Sequence, residues 1–481
     1  VEFTLIVVLV IILALFFDFT NGFHDTANAM ATPIATGALK PKTAVALAAL
    51  LNLVGAFLST EVAKTVSGGI INEGSGGVLV SPELVFAGLI GAIVWNMLTW
   101  LYGLPSSSSH ALFGGLIGAA VVGAGMSAVN IGGVLSKVII PALAAPLTAG
   151  VVAFVATKLA YSITRRKDGK KDGRGRFRYA QIVSSSLIAL AHGTNDAQKT
   201  MGVITLTLIA AGLQEPGTGP HLWVIVSCAL AIAIGTYSGG WRIIRTLGAG
   251  LTQVKPAQGF AAETSTAATI LASSHLGFAL STTQVASGSV IGSGIGRRGS
   301  TVRWRTVGRI ATGWLFTLPS AAIVGAIAAA IAHLGTLGII IDTAAGVLVI
   351  AFIFWRSTRN RVDAGNAVNA PDVAESGYAV RVKKGKVKPQ RTPTGTVSPL
   401  TPAARSAIRA DYAAKAAEKA ARLAEAEIEA ADRAAARAEA KAKQREAERL
   451  RREAAQKQEE EERAQAQNRP VQNTSQDEGD R

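Results

Sequence analysis

Cysteine is almost missing: Cys228 is the only one in 481 residues. No disulfide and no thiolate metal cluster can therefore form within one chain. Charge is scarce as well, at 17% of residues against roughly 25% in ordinary soluble domains. The formal net charge of +16 would fit nucleic-acid binding if it lay in one patch. Instead the basic residues fall in particular loops and in the C-terminal tail, a pattern that orients membrane proteins, so no nucleic-acid partner is expected.

Apolar residues (49%) and glycine (50 residues) are abundant. From Val1 to about Trp355, long apolar stretches alternate with short loops. Thr43–Thr60, Leu84–Leu104, Val138–Ser162, Leu222–Gly240 and Trp314–Leu334 approach the roughly 20 residues a helix needs to cross a bilayer. Val1–Phe17 lacks a basic start and a small-residue cleavage site, so it is expected to be a retained first helix.

Basic connectors set the expected topology. Lys40 with Lys42, Arg165–Arg178, Arg242 with Arg245, Arg297–Arg309 and Arg356–Arg361 should face the cytoplasm. The connectors Glu61–Glu83, Met126–Lys137, Gln214–His221 and Ala332–Asp342 are poor in Lys and Arg and should face outward. Glu83–Gly125 then forms a hairpin with its turn at Pro105–His110 pointing in. Pro256–Gly296 forms one with its turn near Ser281–Gln284 pointing out.

The two hairpins also match in sequence. Ser107-Ser108-Ser109-His110 aligns with Ser281-Thr282-Thr283-Gln284 about 170 residues later. Gly22-Phe23-His24-Asp25-Thr26-Ala27-Asn28 aligns with Gly193-Thr194-Asn195-Asp196-Ala197-Gln198-Lys199 at nearly the same offset. Two halves of opposite topology, each with a polar motif in apolar sequence, are the mark of an inverted-repeat secondary transporter. The expected fold is thus an all-α membrane protein with broken helices and two re-entrant helical hairpins, plus a cytoplasmic helical tail. Residues 1–164 form the first repeat, 165–178 a basic cytoplasmic loop and 179–355 the second repeat. A linker follows over 356–402, then an Ala/Glu/Lys/Arg-rich helix over 403–467 and a disordered end over 468–481.

Ionisable residues are costly within a bilayer and usually line a pathway. Asp18, His24 and Asp25 lie in the first apolar region, Asp196 and Lys199 in its counterpart, and Glu263 in a later one. Asn52 and Asn96 are further polar residues in apolar stretches. A helix break near Gly193 is expected, freeing carbonyls that, with a carboxylate, suit a small cation. At the hairpin tips, consecutive hydroxyls start helices, where uncapped N–H groups favour an anion. Ordinary N-capping would place Ser and Thr there too.

These motifs resemble the PiT family of inorganic phosphate transporters. Asn21 to Ala29, His192 to Lys199 and Leu104-Pro105-Ser106-Ser107-Ser108-Ser109-His110 carry the likeness, which spans about Val1 to Trp355. It implies symport of phosphate with protons or sodium across the plasma membrane, by a multi-pass homodimer; the tail lies outside the likeness. It also implies no resident cofactor or metal, although bacterial members take phosphate as a divalent-metal complex. By resemblance Asp25, Asn28, Asn195 and Asp196 are motif residues at the cation or proton site, with His24, Lys199 and Glu263 as further coupling candidates. Ser107, Ser108, Ser109, Ser281, Thr282 and Thr283 fall where phosphate is held. Gln198-Lys199 departs from the pattern, replacing an Ala-Asn pair, so that an ammonium stands opposite Asn28 and favours proton over sodium coupling. His24, in place of an Asn, can join a proton path. A sulfate permease of the same family is the nearest alternative. An intramembrane serine protease, prompted by Ser106–His110, is remote, since a nucleophile and base must face each other.

Overall fold

The computed structural model describes residues 5–63, 81–164, 177–276, 280–298, 300, 302–359 and 361–367. The expected tail helix, the C-terminal end and most of the basic loop and linker lie outside the described residues. Within them the chain is helical, apart from one antiparallel bridge between Thr252 and Val302. The first half holds α1 (Leu5–Ala35), α2 (Pro41–Gly55), α3 (Pro82–Leu101), α4 (Ser108–Ala124) and α5 (Ile131–Ile163). The second holds α6 (Phe177–Ala210), α7 (Leu222–Ser238), α8 (Trp241–Arg245), α9 (Pro256–His275), α10 (Thr282–Gly296) and α11 (Trp304–Ala332), before a final α12 (Thr336–Arg359).

Five helices (α1, α3, α5, α11 and α12) are long and apolar enough to span a bilayer, or six spans if the bent pair α7–α8 counts as one. On α5 the large residues Leu143, Leu147, Val151, Val155 and Leu159 are all more than half exposed. Their four-residue spacing makes a greasy ridge that suits lipid rather than water. At the centre the reverse holds. Every residue of α1 from Thr20 to Ala35, and of α6 from Ala191 to Leu208, is buried.

Local signals explain the hairpins. Ser81 caps α3 by accepting from Leu84 N–H, with Pro82 in the first turn. Gly103, at φ +63°, closes it, with Gly103 N–H bonded to Trp100 O and Leu104 N–H to Thr99 O. The chain then re-enters as α4, capped by Ser107.

One expectation fails. The helix α6 runs unbroken through Gly193, because that glycine serves contact, not interruption. A Cβ there would strike the backbone of Asn52 on α2. The sharp bend, 55°, falls instead between α7 and α8, where Gly239 adopts φ +73°.

Glycine contacts also repeat across the halves. Gly22 on α1 abuts Ile232 of α7, and Gly193 on α6 abuts Asn52 of α2. Gly114 and Gly118 of α4 abut Leu318 and Ala322 of α11, while Gly288 and Gly292 of α10 abut Pro146 and Gly150 of α5. Residues about 170 to 180 positions apart thus play the same part with partners exchanged. Each hairpin packs on a helix of the other half, α4 on α11 and α10 on α5. Gly118→Val and Gly292→Val would each drive a methyl group into carbonyl carbons 2.6 Å from the Cβ position. Overpacking of this kind costs about 1–3 kcal/mol, so both variants should melt lower in detergent. The control Gly123→Val, with only a Leu84 side-chain atom at 3.8 Å, should not. Equal melting of all three would refute the close-packing role.

Candidate ion and oxyanion site

The buried middles of α1 and α6 cross where the N-termini of α4 and α10 meet. Asp25 accepts from Thr283 (3.0 Å), Thr282 (3.2 Å) and Ser108 (3.3 Å), so both hairpin tips reach one carboxylate. Asp196 Oδ2 lies 3.0 Å from the same Thr282 hydroxyl, whose single proton the two carboxylates share, and Asp196 pairs with the Lys199 ammonium. That ammonium also donates to Ser109 Oγ (2.6 Å) and Leu280 O (3.0 Å), so its three N–H bonds are all taken. Asn28 Nδ2 donates to Thr283 (3.1 Å). Asn28 and Lys199 are repeat counterparts, as are Thr283 and Ser109, so the exchange of partners extends into the site.

Ser107 and Ser281 sit one residue earlier, where each side chain accepts a backbone N–H as a helix cap, from His110 and Gln284. Their hydroxyl protons remain able to donate outward. The tip serines and threonines therefore form two hydroxyl-lined helix starts around the aspartates. That arrangement can hold an oxyanion.

The imidazole of His192 completes the centre, and the motif alone did not single it out. Its Nε2 lies 2.7 Å from Asp196 Oδ2 and 3.8 Å from Asp25 Oδ2. Asn52 fixes its other nitrogen. Asn52 Nδ2 donates to Thr236 Oγ1 (2.7 Å), leaving Asn52 Oδ1 to face His192 Nδ1 at 3.3 Å. Nδ1 must then carry hydrogen. Nε2 is either a second N–H or a lone pair aimed at two carboxylates, and a lone pair there demands a cation or a proton on one of those carboxylates. Asp25, His192 and Asp196 each offer an atom within 4.8 Å of the others, a spacing that could hold an ion.

His24 lies beside the same carboxylate, with Nδ1 2.5 Å from Asp25 Oδ1 and Nε2 3.4 Å from Ser106 Oγ. Ser106, His24 and Asp25 thus fall in the order of a hydrolase triad. Ser106 Oγ is also 2.7 Å from Thr99 Oγ1, and all three residues are buried. Asn195 Nδ2 donates away to Ser274 on α9 (2.9 Å). Glu263 stands apart. It accepts from Thr32 (2.7 Å), Gln181 (2.9 Å) and Ser184 (2.5 Å), and Thr32 is two helical turns beyond Asp25 on α1, about 10 Å of rise.

Comparison with known proteins adds to this geometry. The profile of the Phosphate transporter family matches residues 21–325. A Mycobacterium tuberculosis protein described as a probable low-affinity inorganic phosphate transporter is 56% identical over 368 residues, covering 76% of this chain and 87% of that protein. A Bacillus subtilis protein with the same description is 42% identical over 324 residues, 67% of this chain and 96% of the relative. A solved structure described as the sodium-dependent phosphate transporter superposes with a TM-score of 0.61 at 24% identity, covering 69% of this chain and all of that one.

Proposed function

Given that this chain belongs to the Phosphate transporter family, and so is a membrane transporter of phosphate and not an enzyme, we propose that it imports phosphate across the plasma membrane together with a coupling cation. The observation that carries this is the meeting of both hairpin tips with Asp25, His192 and Asp196 at one buried point. Two carboxylates and one ammonium leave that point with one net negative charge while the histidines are neutral. A phosphate anion entering between the tips needs positive charge delivered with it.

A proton fits the available atoms best. His192 Nε2 and His24 both lie against carboxylates, and the Lys199 ammonium already occupies the place across from Asn28. Sodium is the second reading, favoured by the sodium dependence of the structural neighbour. A divalent metal travelling with phosphate would find its ligands in Asp25, His192 and Asp196, but the Lys199 ammonium on Asp196 opposes the extra positive charge. Carboxylates facing the substrate favour phosphate over sulfate, because phosphate keeps a proton to donate.

The exchanged packing of the halves supports alternating access, with each hairpin moving along with the helix of the opposite half that it packs on. The basic connectors support halves of opposite orientation and a cytoplasmic tail. A homodimer follows from family likeness.

Purified protein in liposomes provides the test. Labelled phosphate should accumulate under an inward proton gradient, unchanged by sodium or by removal of divalent metal, and excess sulfate should not compete. Accumulation that follows sodium and ignores pH would overturn the proton reading.

A further inference from the structure

Along α1, Asp18 lies two turns before Asp25 and on nearly the same face, about 10 Å away along the axis. It is fully buried, and neither carboxylate oxygen makes a hydrogen bond of full geometry. Asp25, Asp196 and Glu263 each draw on several donors; Asp18 has at most the Thr200 hydroxyl. Asn21, one turn on, is 1% exposed with both amide atoms unpartnered. The Thr200 hydroxyl on α6 faces the Asp18 carboxylate, is fully buried and has no other partner. The charged groups within electrostatic reach of Asp18 are His192, Asp196 and Lys199, all on α6, and α7 adds the Cys228 thiol. Lys199 cannot serve as its counter-ion, since its three N–H bonds go to Asp196, Ser109 and Leu280.

The duplicated scaffold does not require a carboxylate at this place. The repeat counterpart of Asp18 is Ala189, which is buried among apolar neighbours. A bare carboxylate in such surroundings is untenable and keeps either a cation or a proton. Carboxylate, amide and hydroxyl oxygens form an oxygen donor set suited to a small hard cation.

We propose that Asp18, Asn21 and Thr200 form a second small-cation site, which loads one cation per transport cycle beside the Asp25–Asp196 centre, a proton under the proton reading above and a sodium ion under its sodium alternative. The proposal rests on the symport reading above. The charge pattern of the loops puts the start of α1 outside, so this site meets the ion before the phosphate centre does.

Full-length wild type, Asp18→Asn and Asp18→Glu should be compared in proteoliposomes. The cations moved per phosphate are counted from the reversal potential of phosphate flux, in one arm with only a sodium gradient and in another with only a proton gradient. Asp18→Asn should carry one cation fewer, and the arm in which the count falls identifies the ion. Exchange of internal for external phosphate, which needs no net ion movement, should stay within about twofold of wild type. Asp18→Glu should keep the full count. An unchanged count in Asp18→Asn in both arms overturns the site, as does loss of exchange along with net uptake in both variants, which marks a structural role. Wild type that takes up no phosphate under either gradient would instead overturn the proposed function.

Discussion

Asp25→Asn is expected to lower phosphate uptake about 100-fold while the protein still folds. Asp25 is the one acceptor shared by both hairpin tips, through Ser108 on one side and Thr282 and Thr283 on the other. Hydrogen bonds to an ionised group are worth about 1.5–3 kcal/mol each, and every 1.4 kcal/mol lost is about tenfold. The amide keeps one acceptor atom and the shape, so the tips can still close around it. It cannot hold the charge that draws a cation beside His192 Nε2. Initial uptake rates in proteoliposomes, set against melting temperature in detergent, separate these effects. Asp25→Asn with more than half the wild-type rate would show that the carboxylate is not the coupling group.

Much of this site is legible in the amino-acid sequence alone. The two hairpins lie where their serine caps and helix starts place them, and the paired aspartates meet as the duplicated motif implies. Other features are illegible there for physical reasons. Gly193 looks like a helix breaker because glycine is a poor helix former, yet it packs against Asn52, far away in sequence. His192 lies in the motif, but its role depends on Asn52 and Thr236, which only the folded packing brings together. Glu263 is ionisable and buried, as expected, but Thr32, Gln181 and Ser184 hold it away from the centre. Periodicity can say that such a residue is inside; it cannot say which cluster it joins.

The substitution of Lys199 for the motif's asparagine yields the sharpest prediction about coupling. Lys199 and Asp196 are both buried, and removing one partner from a buried ion pair costs about 3–5 kcal/mol. Lys199→Met should therefore reduce uptake about 100-fold or more and also lower the melting temperature, since Asp196 keeps only His192 and Thr282. Lys199→Asn should behave differently. It gives the second half the residue that the first half has at Asn28, whose amide donates to Thr283, so an amide can take over the bond to Ser109. The ammonium is not replaced, and the centre gains one net negative charge together with a new amide oxygen. Both changes favour an added cation. Uptake by Lys199→Asn should become sodium-activated where wild type is not, with a rate at low sodium well below wild type and partial recovery as sodium rises. A side chain that only fills space would give equal losses in the two variants and no response to sodium. If Lys199→Asn stays as indifferent to sodium as wild type, the ammonium is not standing in for a transported ion, and the preference for protons must arise at His24 and His192 alone.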